Sequence, residues 1–302
     1  MSARNIEALL VNPEYTRKIF ELQDGRKLSY SECGNIATGF PVLFQFGLMA
    51  SSLAVMMFHE ESIHLVLRVI AVDYPGIGDS SIVLHRTLVG WAIDMDEFCQ
   101  EMFGDSRIAI LSHCMGGPHA ISMLYHARLS QRIRSVTLVS PWLPLEHSIE
   151  SPWLFDVARH LPSVIQDNFI PFFATTMTNS SLTMAGSIAM CSNNSARMLV
   201  VQEITGYGKF QGQDGNRQMV RLALETIEIK TLPAHISVFV FHGKKDKLVH
   251  EGACLHLIKS WKDNSPTFVS FEKADHNTAL ANDNLYTVLS TVVKEERNVK
   301  SE

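Results

Sequence analysis

The chain has 302 residues, 46 % of them hydrophobic and 19 % charged, with a net charge of −5, which is enough to bury one large core together with an inserted segment. A pI near 6.2 leaves no general basic surface to hold phosphate backbones, and nucleic acid is excluded as an expected partner. The five cysteines, at 33, 99, 114, 191 and 254, are odd in number, widely spaced and without a CxxC pair. That pattern points to a reducing, cytoplasmic setting and away from a disulfide framework or a structural zinc site.

Residues 1–16 read as a short helical lead-in, with Glu7 and Glu14 where a signal peptide would carry its apolar core. Residues 17–33 form two extended runs about Asp24-Gly25, a dipeptide suited to a tight hairpin. The uncharged stretch 40–58 has membrane-like length, but Pro41, Gln45, Gly47 and Ser51-Ser52 interrupt it. A buried strand at 41–46, a loop, and a helix to about residue 64 with an N-cap in the loop fit better than a membrane span.

Residues 67–72 form a second buried strand that ends in Asp73-Tyr-Pro-Gly-Ile-Gly-Asp-Ser80. A helix is expected over 88–102, a strand over 107–111, a helix over 116–129 with Pro118 in its first turn, and a strand over 135–139. From 143 to 232 the alternation fails, and helix-like pieces rich in Pro, Phe and Met take its place. It resumes with strands at 236–241 and 268–271 and a final helix over 279–294. The chain is therefore expected to be α/β, with a mostly parallel central sheet of about eight strands flanked by helices. Residues 1–142 and 233–302 would form the core, and 143–232 an inserted helical lid.

The apolar run at 108–111 stops at Ser112-His-Cys-Met-Gly116, just before a helix. A side chain at the apex of such a turn stands above the end of the sheet, and the tightness demands small residues two before and two after it. Cys114 has Ser112 and Gly116 in those places, whereas Ser112 as apex would have Ile110 and Cys114. The pattern selects the cysteine, at a helix N-terminus whose partial positive charge favours thiolate. A buried free thiol is the plain alternative at such a turn. His276 follows the last predicted strand and is the natural base; Asp246 follows the strand before it and is the natural orienting acid. Asp275 adjoins His276 and points away from it, so it reads as loop-fixing. His113 and His119 are badly aimed or badly spaced for proton transfer. Cys114 and His119 lack a third ligand at matching spacing, so no metal is expected. Lys244, Lys245 and Lys247 read as a solvated loop.

The small-x-Cys-x-small turn resembles the nucleophile elbow of the α/β-hydrolase family, commonly Gly-x-Ser-x-Gly, with Cys114 for the serine and Ser112 for the first glycine. Residues Asp73 to Ser80 look like that family's Asp-x-x-Gly-x-Gly-x-Ser loop. The order Cys114, Asp246, His276 matches its order of nucleophile, acid and base. The resemblance covers about residues 17–142 and 234–295. It implies an oxyanion hole from the backbone N–H groups of Met115 and Leu48, since Phe46-Gly47-Leu48 stands where the family carries His-Gly-x. Phe46 makes that wall apolar; together with Gly47, Trp142 and the lid residues Phe172 and Met177 it is a candidate for substrate contact.

The whole chain is similar to cysteine-dependent, stand-alone hydrolases of fungal secondary metabolism. That resemblance implies a trans-acting thioesterase or lactone-forming cyclase that releases a polyketide chain through an acyl-cysteine. It implies no cofactor, a small-molecule ester or thioester as substrate, and an acyl carrier protein as donor. Two other readings stay open. One is a hydrolase of small esters or lactones resembling dienelactone hydrolases, with the same triad and water as acceptor; the other is a non-catalytic ligand receptor on the same fold.

Overall fold

The computed structural model describes residues 3–48, 50–143, 213–225, 227–281 and 283–299. Most of the expected lid, with Phe172 and Met177, lies outside them.

Eight strands form one sheet: β1 (Lys18–Glu21), β2 (Lys27–Gly34), β3 (Phe40–Gln45), β4 (Leu67–Val72), β5 (Ile108–His113), β6 (Ile133–Val139), β7 (Ser237–Gly243) and β8 (Thr267–Phe271). Their spatial order is β1-β2-β4-β3-β5-β6-β7-β8. The β1–β2 and β2–β4 pairs are antiparallel, and every other pair is parallel. The expected α/β architecture is thus present, with the hairpin as an antiparallel extension at one edge. At the hairpin Gly25 adopts φ +82°, a conformation that glycine takes at little cost. Strands β5 and β6 are buried at every residue; β5 opens on the unbroken apolar run 108–111, whereas β6 holds Arg134, Ser135 and Thr137 within the same full burial.

Helices α1 (Ala3–Leu10), α2 (His59–His64), α3 (Leu88–Phe103), α4 (Gly116–Tyr125), α5 (Ala127–Ser130), α6 (Gln213–Leu224), α7 (Glu251–Ser260) and α8 (Asp283–Val299) accompany the sheet. Helix α3 is capped by Thr87, whose hydroxyl accepts the Gly90 N–H at 3.0 Å. Among the described residues no helix is long and apolar enough to cross a membrane.

Two elements differ from expectation. The helix expected after Gly47 begins as a 3-10 turn over Ser52–Phe58 before α2, and Ser51 makes no side-chain cap bond to it. Its first N–H, on Ser52, is taken at 2.6 Å by Asp73, a side chain distant in sequence. The helix expected over 116–129 breaks at His126, which is extended (φ −76°, ψ 119°) and starts α5 by accepting the Leu129 N–H on its own ring.

Asp73 is fully buried at the end of β4. Its carboxylate accepts the hydroxyls of Ser29 at 2.7 Å and Ser52 at 2.8 Å as well as the Ser52 N–H. Burial nevertheless raises its pKa to about 6, against the pull of those donors. One carboxyl thereby ties the segment that follows Gly47-Leu48 to the loop that follows β4.

Candidate active site

Cys114 occupies the turn between β5 and α4 with φ +53°, a left-handed backbone that costs a non-glycine residue about 1–3 kcal/mol. Its surroundings explain why it stays there. The Cys114 carbonyl accepts the N–H groups of Gly117 at 3.0 Å and Trp142 at 2.9 Å, and its own N–H donates to the Val139 carbonyl at 3.3 Å. Gly116 packs on the end of β3 so closely that a Cβ there would stand 2.0 Å from the Gln45 carbonyl oxygen. A Cβ on Gly47 would stand 2.9 Å from the Cys114 Cβ and 3.5 Å from its Sγ. Both glycines are required by space rather than by backbone conformation.

Gly47, in the middle of the Phe46-Gly47-Leu48 segment, therefore lies directly against the Cys114 side chain. Met115 is the N-cap of α4. Among the described residues, neither its N–H nor that of Leu48 is spent on a turn or loop hydrogen bond. Phe46 is fully buried and packs its ring on Tyr74, with centroids 4.6 Å apart. Trp142 is buried too, and its indole N–H donates to the Ala223 carbonyl at 3.0 Å, which ties α6 to the turn.

His276 and Asp246 come from the loops after β8 and β7, at the same end of the sheet. The Nδ1 of His276 bonds Asp246 Oδ2 at 2.8 Å, while Oδ1 accepts the N–H groups of Leu248 at 2.8 Å and Val249 at 2.9 Å. Three of the carboxylate's roughly four acceptor positions are thus used. Burial opposes ionisation of Asp246, but the His276 bond outweighs it and holds the pKa near 2.

The remaining His276 nitrogen, Nε2, is turned to the Cys114 thiol, and among the described residues it makes no well-formed hydrogen bond. Such contacts commonly tighten only when substrate is bound. Burial disfavours the imidazolium, yet the Cys114 sulfur and the Asp246 carboxylate overcome it and lift His276 to about 10.

Asp275 turns away from the ring; its Oδ1 accepts the N–H groups of Asn277 at 3.1 Å and Thr278 at 2.9 Å and fixes the loop. Lys244 pairs with Glu272, whereas Lys245 and Lys247 are exposed. His119 bonds the Met115 carbonyl at 3.2 Å, one helical turn back.

Two histidines have roles that sequence reading does not reach. His113 Nε2 lies 2.9 Å from the His276 carbonyl oxygen, so it is the donor and His113 is neutral with its proton on Nε2. Burial and the neighbouring His276 push its pKa down to about 3. His242 Nδ1 lies 3.9 Å from Asp246 Oδ2, and burial lowers its pKa, so it does not compete as a cation for the carboxylate. A third omission is Arg86, an isolated arginine in a loop, which is buried beside Tyr74. No motif marks it; only its enclosure does. Among the described residues, no group of three or more His, Cys, Asp or Glu side chains is placed to hold a metal ion.

A family model described as the alpha/beta hydrolase fold matches residues 41–283. No curated protein matches the sequence. Among solved structures, the chain is similar to an esterase from Exiguobacterium antarcticum, with a TM-score of 0.66 and 16 % identity over 92 % of this chain and 99 % of that one. It is also similar to the enol-lactonase from Burkholderia xenovorans LB400, with a TM-score of 0.63 and 15 % identity over 93 % and 100 %. The epoxide hydrolase VrEH1 from Vigna radiata superposes with a TM-score of 0.66 and 14 % identity over 95 % and 100 %. At such identities the likeness is one of fold.

Proposed function

Since the chain belongs to the alpha/beta hydrolase family, we propose that it is a cysteine-dependent acyl-transfer enzyme acting on thioesters, in which Cys114 is the nucleophile, His276 the base and Asp246 the orienting acid. The observation that carries this reading is the bond of Asp246 to one nitrogen of His276 while the other meets the thiol of a strained elbow. Attack by the Cys114 sulfur, whose proton His276 holds, forms a bond to the acyl carbon, and the Met115 and Leu48 N–H groups receive the oxyanion. His276 gives its proton to the leaving thiol as the carbon–sulfur bond breaks. The resulting acyl-cysteine keeps the transfer potential of a thioester; His276 then takes the proton of the acceptor as its oxygen bonds the acyl carbon, the bond to the Cys114 sulfur breaks, and the proton returns to that sulfur.

An alcohol on the same acyl chain is the acceptor in this reading, which makes the product a lactone and the enzyme a trans-acting thioesterase and cyclase of polyketide type. The donor thioester would come on an acyl carrier protein. A second reading draws on the structural neighbours, an esterase and an enol-lactonase: water completes the reaction, and the substrate is a small ester or lactone.

Products separate the two. With an ω-hydroxyacyl thioester of N-acetylcysteamine, intact-mass measurement is expected to find one acyl adduct on the protein, and chromatography a lactone. Free acid alone would transfer the function to the hydrolase reading. No adduct and no turnover with any ester or thioester would overturn both.

A further inference from the structure

Arg86 lies in the segment between β4 and α3, at the end of the parallel strands that carries Cys114, and only 5 % of it is exposed. A guanidinium has five N–H donors in a planar fork. Here Nη2 reaches the Gly215 carbonyl of α6 at 3.3 Å, while Nε and Nη1 are buried without a hydrogen-bond partner. No carboxylate among the described residues pairs with it. Among the described residues its nearest charged neighbour is another cation, Arg221, which donates to the Arg86 carbonyl. Burial lowers the Arg86 pKa only to about 10, so the group remains a cation at neutral pH.

A buried charge without a counter-charge is among the most costly features a fold can retain. Its position links it to the chemistry. The guanidinium carbon sits 5.2 Å from the centre of the Tyr74 ring. That ring also packs on Phe46, the residue before Gly47, and at 4.2 Å on His119, whose Nε2 is likewise buried and unpartnered. Tyr74 in turn donates its hydroxyl to the Phe46 carbonyl at 3.0 Å. The wall behind the oxyanion segment is therefore aromatic and carries one fork of unspent cationic donors.

We propose that Arg86 anchors a carboxylate on the acyl part of the substrate, so that the enzyme takes acyl donors bearing a second, ionised carboxyl group. This rests on the acyl-transfer reading of Cys114. The planar fork suits a planar carboxylate. A phosphate dianion would call for more positive charge than one guanidinium over an aromatic ring supplies.

The test uses a ladder of ω-carboxyalkanoyl thioesters of N-acetylcysteamine, each matched with the alkanoyl thioester of equal length. At one chain length the ratio of kcat/KM, carboxylated over plain, is expected to reach at least about tenfold in wild type. It should collapse to about one in Arg86→Gln and fall between in Arg86→Lys, which keeps the charge and loses the fork. A wild-type ratio of one at every length, or an unchanged ratio in both variants, overturns the proposal.

Binding is read separately in Cys114→Ala protein, where dicarboxylates from glutarate to sebacate are expected to raise the melting temperature at one length, and inorganic phosphate is not. The added Arg86→Lys change should diminish that shift. If wild type turns over nothing while the Arg86-dependent shift persists, the catalytic reading fails and the carboxylate anchor stands. Stabilisation by phosphate in place of every dicarboxylate, or by none of these anions, overturns the anchor.

Discussion

Replacing Cys114 by alanine is expected to lower kcat/KM for a thioester by at least about ten-thousandfold, because a nucleophile and its base act as one unit and the residual rate comes from binding and the oxyanion donors alone. The fold should survive. Alanine keeps the Cβ and so faces the same backbone cost at φ +53° as cysteine does, and the missing atom is a single sulfur in a residue already 7 % exposed.

The variant also carries a spectroscopic signature. The sulfur is the largest of the influences that lift His276, and with it gone burial is opposed only by Asp246. The imidazole pKa should therefore drop well below its wild-type value of about 10, as read by an NMR titration of the His276 ring. In wild type His276 stays an imidazolium through neutral pH, so acylation is expected to fall in the alkaline range, where the ring loses the proton it gives to the leaving thiol. Ligand-induced stabilisation that is indifferent to Cys114→Ala, in a protein that turns over no acyl donor, would establish the receptor reading instead.

Replacing Asp246 by asparagine is the second large change, with an expected loss of about a thousandfold or more in kcat/KM. The asparagine oxygen can still accept the Leu248 and Val249 N–H groups, so the loop after β7 has reason to hold its shape. The other half of the amide is a donor where His276 needs an acceptor. The ring would then turn or change tautomer and present the wrong nitrogen to the thiol. Stability shows the same loss with a definite sign. The native Asp246 pKa lies near 2, below the unfolded value of 3.8, so its contribution is present above about pH 4 and disappears as pH falls through 2. Urea titrations at pH 7 should place the variant about 2 kcal/mol below wild type, and the gap should narrow near pH 3. An equal gap at both pH values would detach the carboxylate from that role.

Much of this arrangement is legible in the chain, because strands buried on both faces declare themselves as unbroken apolar runs. Residues 42–44 of β3, 69–72 of β4, 108–111 of β5 and 238–241 of β7 do so, and the loop that brings Asp246 follows the last of these, whereas β6 carries polar residues and β8, which precedes the His276 loop, is only partly buried. What a linear reading cannot supply is the lateral order of strands: β4 lies between β2 and β3 although it follows both in sequence. It also misses contacts made by residues with no local signature. The break at His126 interrupts a stretch whose neighbours are all compatible with helix, and Asp73 caps a turn about twenty residues before it. His113 is legible as a poor base, but its bond to the His276 backbone depends on the loop after β8 crossing to the end of β5. Arg86 is silent for the same reason, since burial is a property of the assembled fold and an isolated loop arginine is ordinarily solvated.

The crowding about Cys114 bears on how such an enzyme can change over generations. Gly47 and Gly116 admit no added carbon, and each neighbouring strand end is fitted to them, so substitutions around the elbow are closed off by space. The apex alone is exempt. Serine and cysteine differ there by one atom on an identical frame, and exchanging them alters what the intermediate is without asking any neighbour to move. Under the proposed mechanism, this crowded turn leaves its apex as a position where lineages can trade one acyl chemistry for another.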